Sequence, residues 1–143
     1  MLNILIGKKG TGKTKILLDN VNEAAKAAKG NVVFISNNTG KNMYDIKSNV
    51  RMADTSEFQI DTWREFIGFI CGIISSNFDI SNIYVDGTLK IVNHNTDGFE
   101  EFLSEIDEIG KRFNIEFMFS VSMDAETAPD YVKKYCWKFE RIS

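Results

Sequence analysis

Apolar positions follow two rhythms along this chain. Residues 2–6, 32–35, 83–85 and 115–119 form short apolar runs without alternation, the pattern of strands covered on both faces. Elsewhere apolar residues return every three or four positions, as Leu17, Val21, Ala24 and Ala28 do within 12–29. Trp63, Phe66, Ile67, Ile70, Ile73 and Ile74 make a second such stripe, and Phe99, Phe102, Leu103, Ile106, Ile109 and Phe113 a third. Each stripe predicts an amphipathic helix. Asp97, Glu100 and Glu101 near the start of the third, with Lys111 and Arg112 near its end, complement the helix dipole. Gly30 is placed as a left-handed stop to the first helix.

Weaker signals fill the gaps. Residues 36–49 read as an exposed polar loop, 50–53 as a short strand and 55–62 as irregular. After 115–119 the chain leaves into polar 120–130, then a helical turn at 131–135 and a last strand over 137–142 are predicted. Strands alternating with helices give an α/β class, a three-layer sandwich around a mostly parallel, five-stranded sheet. Ligands of such sheets bind where the strands end.

The sequence of 143 residues has the size of one domain, taken here as 1–143. Its composition, 43% hydrophobic and 26% charged with one Pro, excludes disordered and fibrous classes. A net charge of -3 disfavours free-standing binding to nucleic acid. Cys71 and Cys136 lack the spacing of a metal site or disulfide framework and read as reduced thiols. The chain turns polar at Gly7 before a signal-peptide core is complete, and the longest apolar stretch, 66–74, is half of what a membrane span needs. A soluble, cytoplasmic protein is expected.

Chemistry concentrates between the first strand and first helix. Gly7-Lys8-Lys9-Gly10-Thr11-Gly12-Lys13-Thr14 spells G-x-x-x-x-G-K-[ST] in the strand-to-helix setting the motif requires. Its glycines free the backbone to turn successive N–H groups toward an anion at the positive end of the helix. Lys13 is the residue to bridge β- and γ-phosphates, and Thr14 the one to place a hydroxyl on Mg²⁺. Lys8 and Lys9 fill variable positions, read first as solvated lysines and second as phosphate contacts. The ligand called for is ATP, or another nucleoside triphosphate, with Mg²⁺.

On these residues the chain resembles the P-loop NTPase superfamily. That resemblance implies an apolar strand ending in an aspartate that holds magnesium through water, and Ile83-Tyr84-Val85-Asp86 matches it. The order of elements after Asp86 is similar to the RecA-like branch, in which the next strand slots beside the P-loop strand and its polar exit residue touches the γ-phosphate. Ser120 and Ser122 match that position. The branch also implies a glutamate after the aspartate to orient the attacking water, where this chain has Gly87. Asp54 is the alternative base, with turn capping as its plainer role. A slow or partner-activated ATPase follows, a nucleotide-dependent switch or assembly component whose site a partner protein or self-association completes. Arg51, Arg112 and Arg141 are candidate arginine fingers for an oligomer, each with a surface role as its plainer reading. Beyond the superfamily, the chain resembles short ATP-binding proteins of low-GC bacteria.

Two other functions stay open. Asp86-Gly87 is similar to the strand end of small nucleotide kinases, yet Thr88-Leu89-Lys90 follows instead of Pro-Arg and no arginine cluster supplies a lid. A non-catalytic interaction domain on the same scaffold is the other. His94 sits in a polar loop as a solvated side chain, and Gly68 and Gly72 are placed where helix and sheet approach closely. Lys133, Lys134, Tyr135, Trp137 and Lys138 make a basic, aromatic C-terminus, read as a final strand with solvated lysines.

Overall fold

The apolar runs become the strands of a single sheet in the computed structural model, which describes residues 1–38 and 45–137. They are β1 (Leu2–Gly7), β2 (Asn31–Ser36), β3 (Arg51–Asp54), β4 (Ile80–Val85) and β5 (Glu116–Ser122). All neighbours are parallel, in the order β1-β5-β4-β2-β3. The strand following Asp86 therefore lies between the first strand and the one that ends at Asp86, as the resemblance implied. Register brings the exits together: Gly7 stands beside Ser122, Val85 beside both Phe119 and Ile35, and Ser36 beside Asp54.

Alternate strand residues enter two separate cores. Leu5, Phe34, Tyr84 and Met118 face α1 (Lys13–Ala27), where Leu17, Leu18 and Val21 cover them. Ile4, Ile6, Val33, Ile35, Ile83, Val85, Phe117 and Phe119 face the opposite way, under α2 (Trp63–Ser76) and α4 (Phe99–Phe113). With both faces covered, successive strand positions in the middle of the sheet are apolar, which is why these runs do not alternate. The second core is built on rings: Trp63 stacks on Phe99 at 4.8 Å between centroids, and Phe66 on Phe102 at 5.5 Å. Burying one such ring contributes about 1.5–3 kcal/mol. Two single-turn helices, α3 (Thr88–Ile91) and α5 (Asp130–Lys133), and a 3-10 turn, Thr55–Glu57, complete the described elements.

Several sequence expectations need correction. Gly30 is not left-handed; α1 ends at an extended Ala28, and Gly30 instead lets the Asp79 carbonyl oxygen come within 2.2 Å of where a Cβ would stand. Gly68 and Gly72 face outward on α2 with open space around them rather than the sheet. β5 runs on through Ser122, because Val121 is buried and extends the pairing past the polar Ser120. β4 begins at Ile80, and its polar Ser81 and Asn82 hid that start from the apolar pattern. The predicted 137–142 strand lies outside the described residues but for Trp137, whose N–H donates to the Ile4 carbonyl at 2.8 Å.

Candidate functional site

β1 delivers the glycine-rich loop to the sheet's C-terminal edge, and α1 carries it away. Gly10 and Gly12 both sit at φ 87, in the left-handed region that favours glycine. Gly12 precedes the first turn of α1 with no side-chain cap and no acidic residue in that turn. The first N–H groups of the helix have no intrahelical acceptors, so this end is left to an anion. The Lys8 carbonyl ties the loop together, accepting from the Thr11 N–H (3.2 Å), the Thr11 hydroxyl (2.7 Å) and Lys13 Nζ (2.9 Å). The Lys8 ammonium pairs with Asp124 at 3.6 Å, while Lys9 lines the cleft beside Gly10. From the other side, the Met123 N–H donates to the Gly7 carbonyl at 3.1 Å, holding the exit of β5 to that of β1.

Lys13 is only 7% exposed. Burial pushes its ammonium below the ordinary lysine value, Asp86 acts in the opposite direction, and Lys90 adds to the lowering. A buried ammonium without a full counter-charge is a receptor for negative charge.

Asp86 leaves the end of β4 facing Thr14. The Thr14 hydroxyl lies 3.4 Å from Oδ1 and 3.3 Å from Oδ2 of Asp86, longer than a well-made O–H···O bond. Neighbouring oxygens around an octahedral magnesium stand about 3 Å apart, and Mg²⁺ takes hard oxygens with few protein ligands. One hydroxyl and one carboxylate this close could together hold such an ion, Thr14 through its hydroxyl and Asp86 directly or through water. Among the described residues no group of three His, Cys, Asp or Glu side chains could hold a metal unaided.

Ser120 acts on the aspartate. Its buried hydroxyl donates to Asp86 Oδ1 at 2.6 Å and accepts from the Gly87 N–H at 2.8 Å, so it fixes the carboxylate's orientation. Ser122, two residues later, is exposed and lines the cleft. Gly87 follows Asp86 at φ 65, a conformation that a glutamate there would adopt only under strain.

Asp54 ends β3, with Ser36 of β2 between it and the row of Asp86. Two strand spacings separate those rows, roughly 10 Å. Its carboxylate accepts from the Ser56 N–H (2.9 Å) and hydroxyl (2.6 Å), capping the turn Thr55–Glu57. Arg51 and Arg112 are exposed, Arg112 over the Phe113 ring, and Arg141 lies outside the described residues.

A cavity of about 470 Å³ joins the phosphate loop to Asp86, lined by Lys9, Lys13, Thr14, Lys90, Ser120 and Ser122 among others. Beyond Thr14, Asp86, Gly87 and Lys90 a second, polar cavity of about 260 Å³ opens, walled by Ser36, Asn37 and Asn38. Lys90, a residue on neither motif, lines both.

No protein-family model and no curated protein matches the chain. Among solved structures it is similar to a KaiC-like protein from the hyperthermophilic archaeon Pyrococcus horikoshii OT3, with a TM-score of 0.62 and 12% identity over 94% of this chain. The match takes in 66% of the archaeal chain, so the present one spans just under two thirds of its length. At that identity the likeness is one of fold. The two share the α/β fold described above, a parallel sheet flanked by helices.

Proposed function

We propose that this protein binds ATP with Mg²⁺ and hydrolyses it slowly until a partner completes the site, serving as a nucleotide-dependent switch or assembly component. The approach of Thr14 to Asp86, beside a loop with left-handed Gly10 and Gly12 and the buried Lys13, is the observation that carries it. In this reading the loop and helix N–H groups bind the phosphates, and Lys13 neutralises charge between the β and γ positions. Thr14 and Asp86 hold the metal, which when bound offsets charge on the phosphate oxygens. Ser120 keeps Asp86 in place. With Gly87 where a carboxylate is expected and Asp54 engaged in a cap, neither position orients water, and the ~10²–10⁴ that a general base contributes is not supplied from them.

Calorimetric titration of Mg·ATP into wild type and Lys13→Ala tests the binding. Saturable binding lost in the variant is expected; equal binding by both, or none by either at millimolar ligand, ends the proposal. Completion by self-association is read from specific activity against protein concentration, which rises if a second copy supplies a group such as Arg51 and stays flat otherwise. Among the described residues no helix is long and apolar enough to cross a membrane, and a cytoplasmic location is part of this reading.

A second reading, phosphoryl transfer to a small polar molecule, is favoured by the cavity walled by Ser36, Asn37 and Asn38 next to Asp86. Transfer to nucleosides, nucleoside monophosphates or small polyols faster than hydrolysis would put it first.

A further inference from the structure

Lys90 stands on the single turn α3, which begins directly after Gly87. Its backbone N–H donates to the Gly87 carbonyl at 3.0 Å, and its stem lies over Gly87, where an added Cβ would be 3.6 Å from Lys90 Cδ. The side chain thus borders the cleft from α3, just past Asp86 and Gly87, and it walls both the 470 Å³ and the 260 Å³ cavities.

The charges around it are unbalanced. Lys9, Lys13 and Lys90 line the larger cavity against one acid, Asp86. Asp86 already receives the Ser120 and Thr14 hydroxyls and is the acid that offsets the buried Lys13. Lys90 forms no salt bridge among the described residues, in a protein whose net charge is -3. An exposed lysine is ordinarily a solvated one. This one instead shares a cleft with a second ammonium, an arrangement unfavourable until an anion lies between them.

We infer that Lys90 reads the terminal phosphate of the bound nucleotide, so that the site prefers a triphosphate to a diphosphate. This rests on the reading of the cleft as a nucleotide·Mg site. Lys13, the glycine-rich loop and the helix end serve the phosphates common to both nucleotides. Lys90, on α3 just past Asp86 and Gly87, serves the additional charge that only the triphosphate carries. A flexible point charge suits such a contact, since three donors on a long stem follow the phosphate without a fixed fork.

The test compares affinities for Mg·ADP and for Mg²⁺ with the non-hydrolysable imido analogue of ATP, in wild type, Lys90→Met and Lys90→Arg. Lys90→Met is expected to weaken the triphosphate by about fivefold, as loss of one charged contact at an exposed position does, and the diphosphate less than about twofold. Lys90→Arg keeps most of the preference. Melting temperatures of the variants check that the exposed substitution leaves the fold intact. Wild type binding both nucleotides, with Lys90→Met unchanged or weakened equally for each, overturns the role of Lys90 and leaves the nucleotide site standing. Wild type binding neither nucleotide removes the site and this role together.

Discussion

The Thr14 hydroxyl meets the Asp86 carboxylate at 3.3 Å although 72 residues separate them. β5, inserted between β1 and β4, sets that distance, and its Ser120 holds Asp86 by a 2.6 Å bond. Ser120→Ala would therefore act on the metal rather than on the phosphates. Nucleotide binding without Mg²⁺ should be nearly unchanged, while the gain in affinity on adding Mg²⁺ should fall several-fold, as loss of about 1 kcal/mol of hydrogen bonding implies. Asp86→Asn should abolish most of that gain. Titrations with and without the metal separate the two, and an equal loss in both conditions for Ser120→Ala would assign it a structural role only.

Lys13 gives the site a pH dependence of definite sign. Burial lowers its pKa in the free protein, and a bound polyphosphate raises it again by adding negative charge. Nucleotide binding should then take up protons on the alkaline side, and affinity should be level near neutrality and fall as pH rises through the lowered lysine value. For folding alone the sign is opposite. A lysine whose folded pKa lies below its unfolded one makes stability rise with pH across that interval, because the unfolded chain holds the extra proton there. Binding enthalpies in buffers of different ionisation heat, measured from pH 7 upward, check the uptake; an affinity that rises over that range would contradict it.

Gly30 and Gly68 make an opposed pair. A Cβ on Gly30 would stand 2.2 Å from the Asp79 carbonyl oxygen, whereas one on Gly68 meets nothing within 4 Å in an exposed helical position. Gly30→Ala should cost about 1–3 kcal/mol through backbone displacement, and Gly68→Ala should stabilise by about 0.5–1 kcal/mol through helix propensity. Denaturant melts of both decide it. Equal effects would mean that the Asp79 turn relaxes freely.

The sequence carried the phosphate loop, its strand and its helix openly, since eight residues of motif and two apolar rhythms agree on them. Asp86 was singled out by the resemblance, since an apolar run that ends at a charge, as 83–85 does, is a common pattern by itself. Ser120 was visible only as a polar residue after an apolar run. That it lies inside β5 with its hydroxyl on Asp86 depends on Val121 being drawn into the core, a tertiary effect. Lys90 left no signal, because a four-residue helix has no periodicity and because nothing local says that its stem covers Gly87. Gly30 was recognised as special and given the wrong cause, since the carbonyl it admits comes from residue 79, just before β4 and far along the chain.

Whether the isolated protein turns ATP over depends on Gly87 and Asp54. Restoring a carboxylate by Gly87→Glu has the appeal of completing the site, but Gly87 is at φ 65, where a side chain costs about 1–2 kcal/mol. The added Cβ would also face the stem of Lys90 at 3.6 Å, so the new carboxylate would have an ammonium for a partner rather than a water molecule. Gly87→Glu is therefore expected to lower stability and leave hydrolysis slow. Asp54→Asn weakens the cap on Ser56 by roughly 1 kcal/mol or less and should change turnover less than about threefold, because its row is two strands from Asp86. Steady-state phosphate release by wild type and both variants, beside their melting temperatures, decides the matter. A fall in kcat of ~10²-fold in Asp54→Asn at unchanged nucleotide affinity would make Asp54 the base, and brisk hydrolysis that survives the same change would place the base on a residue neither motif contains.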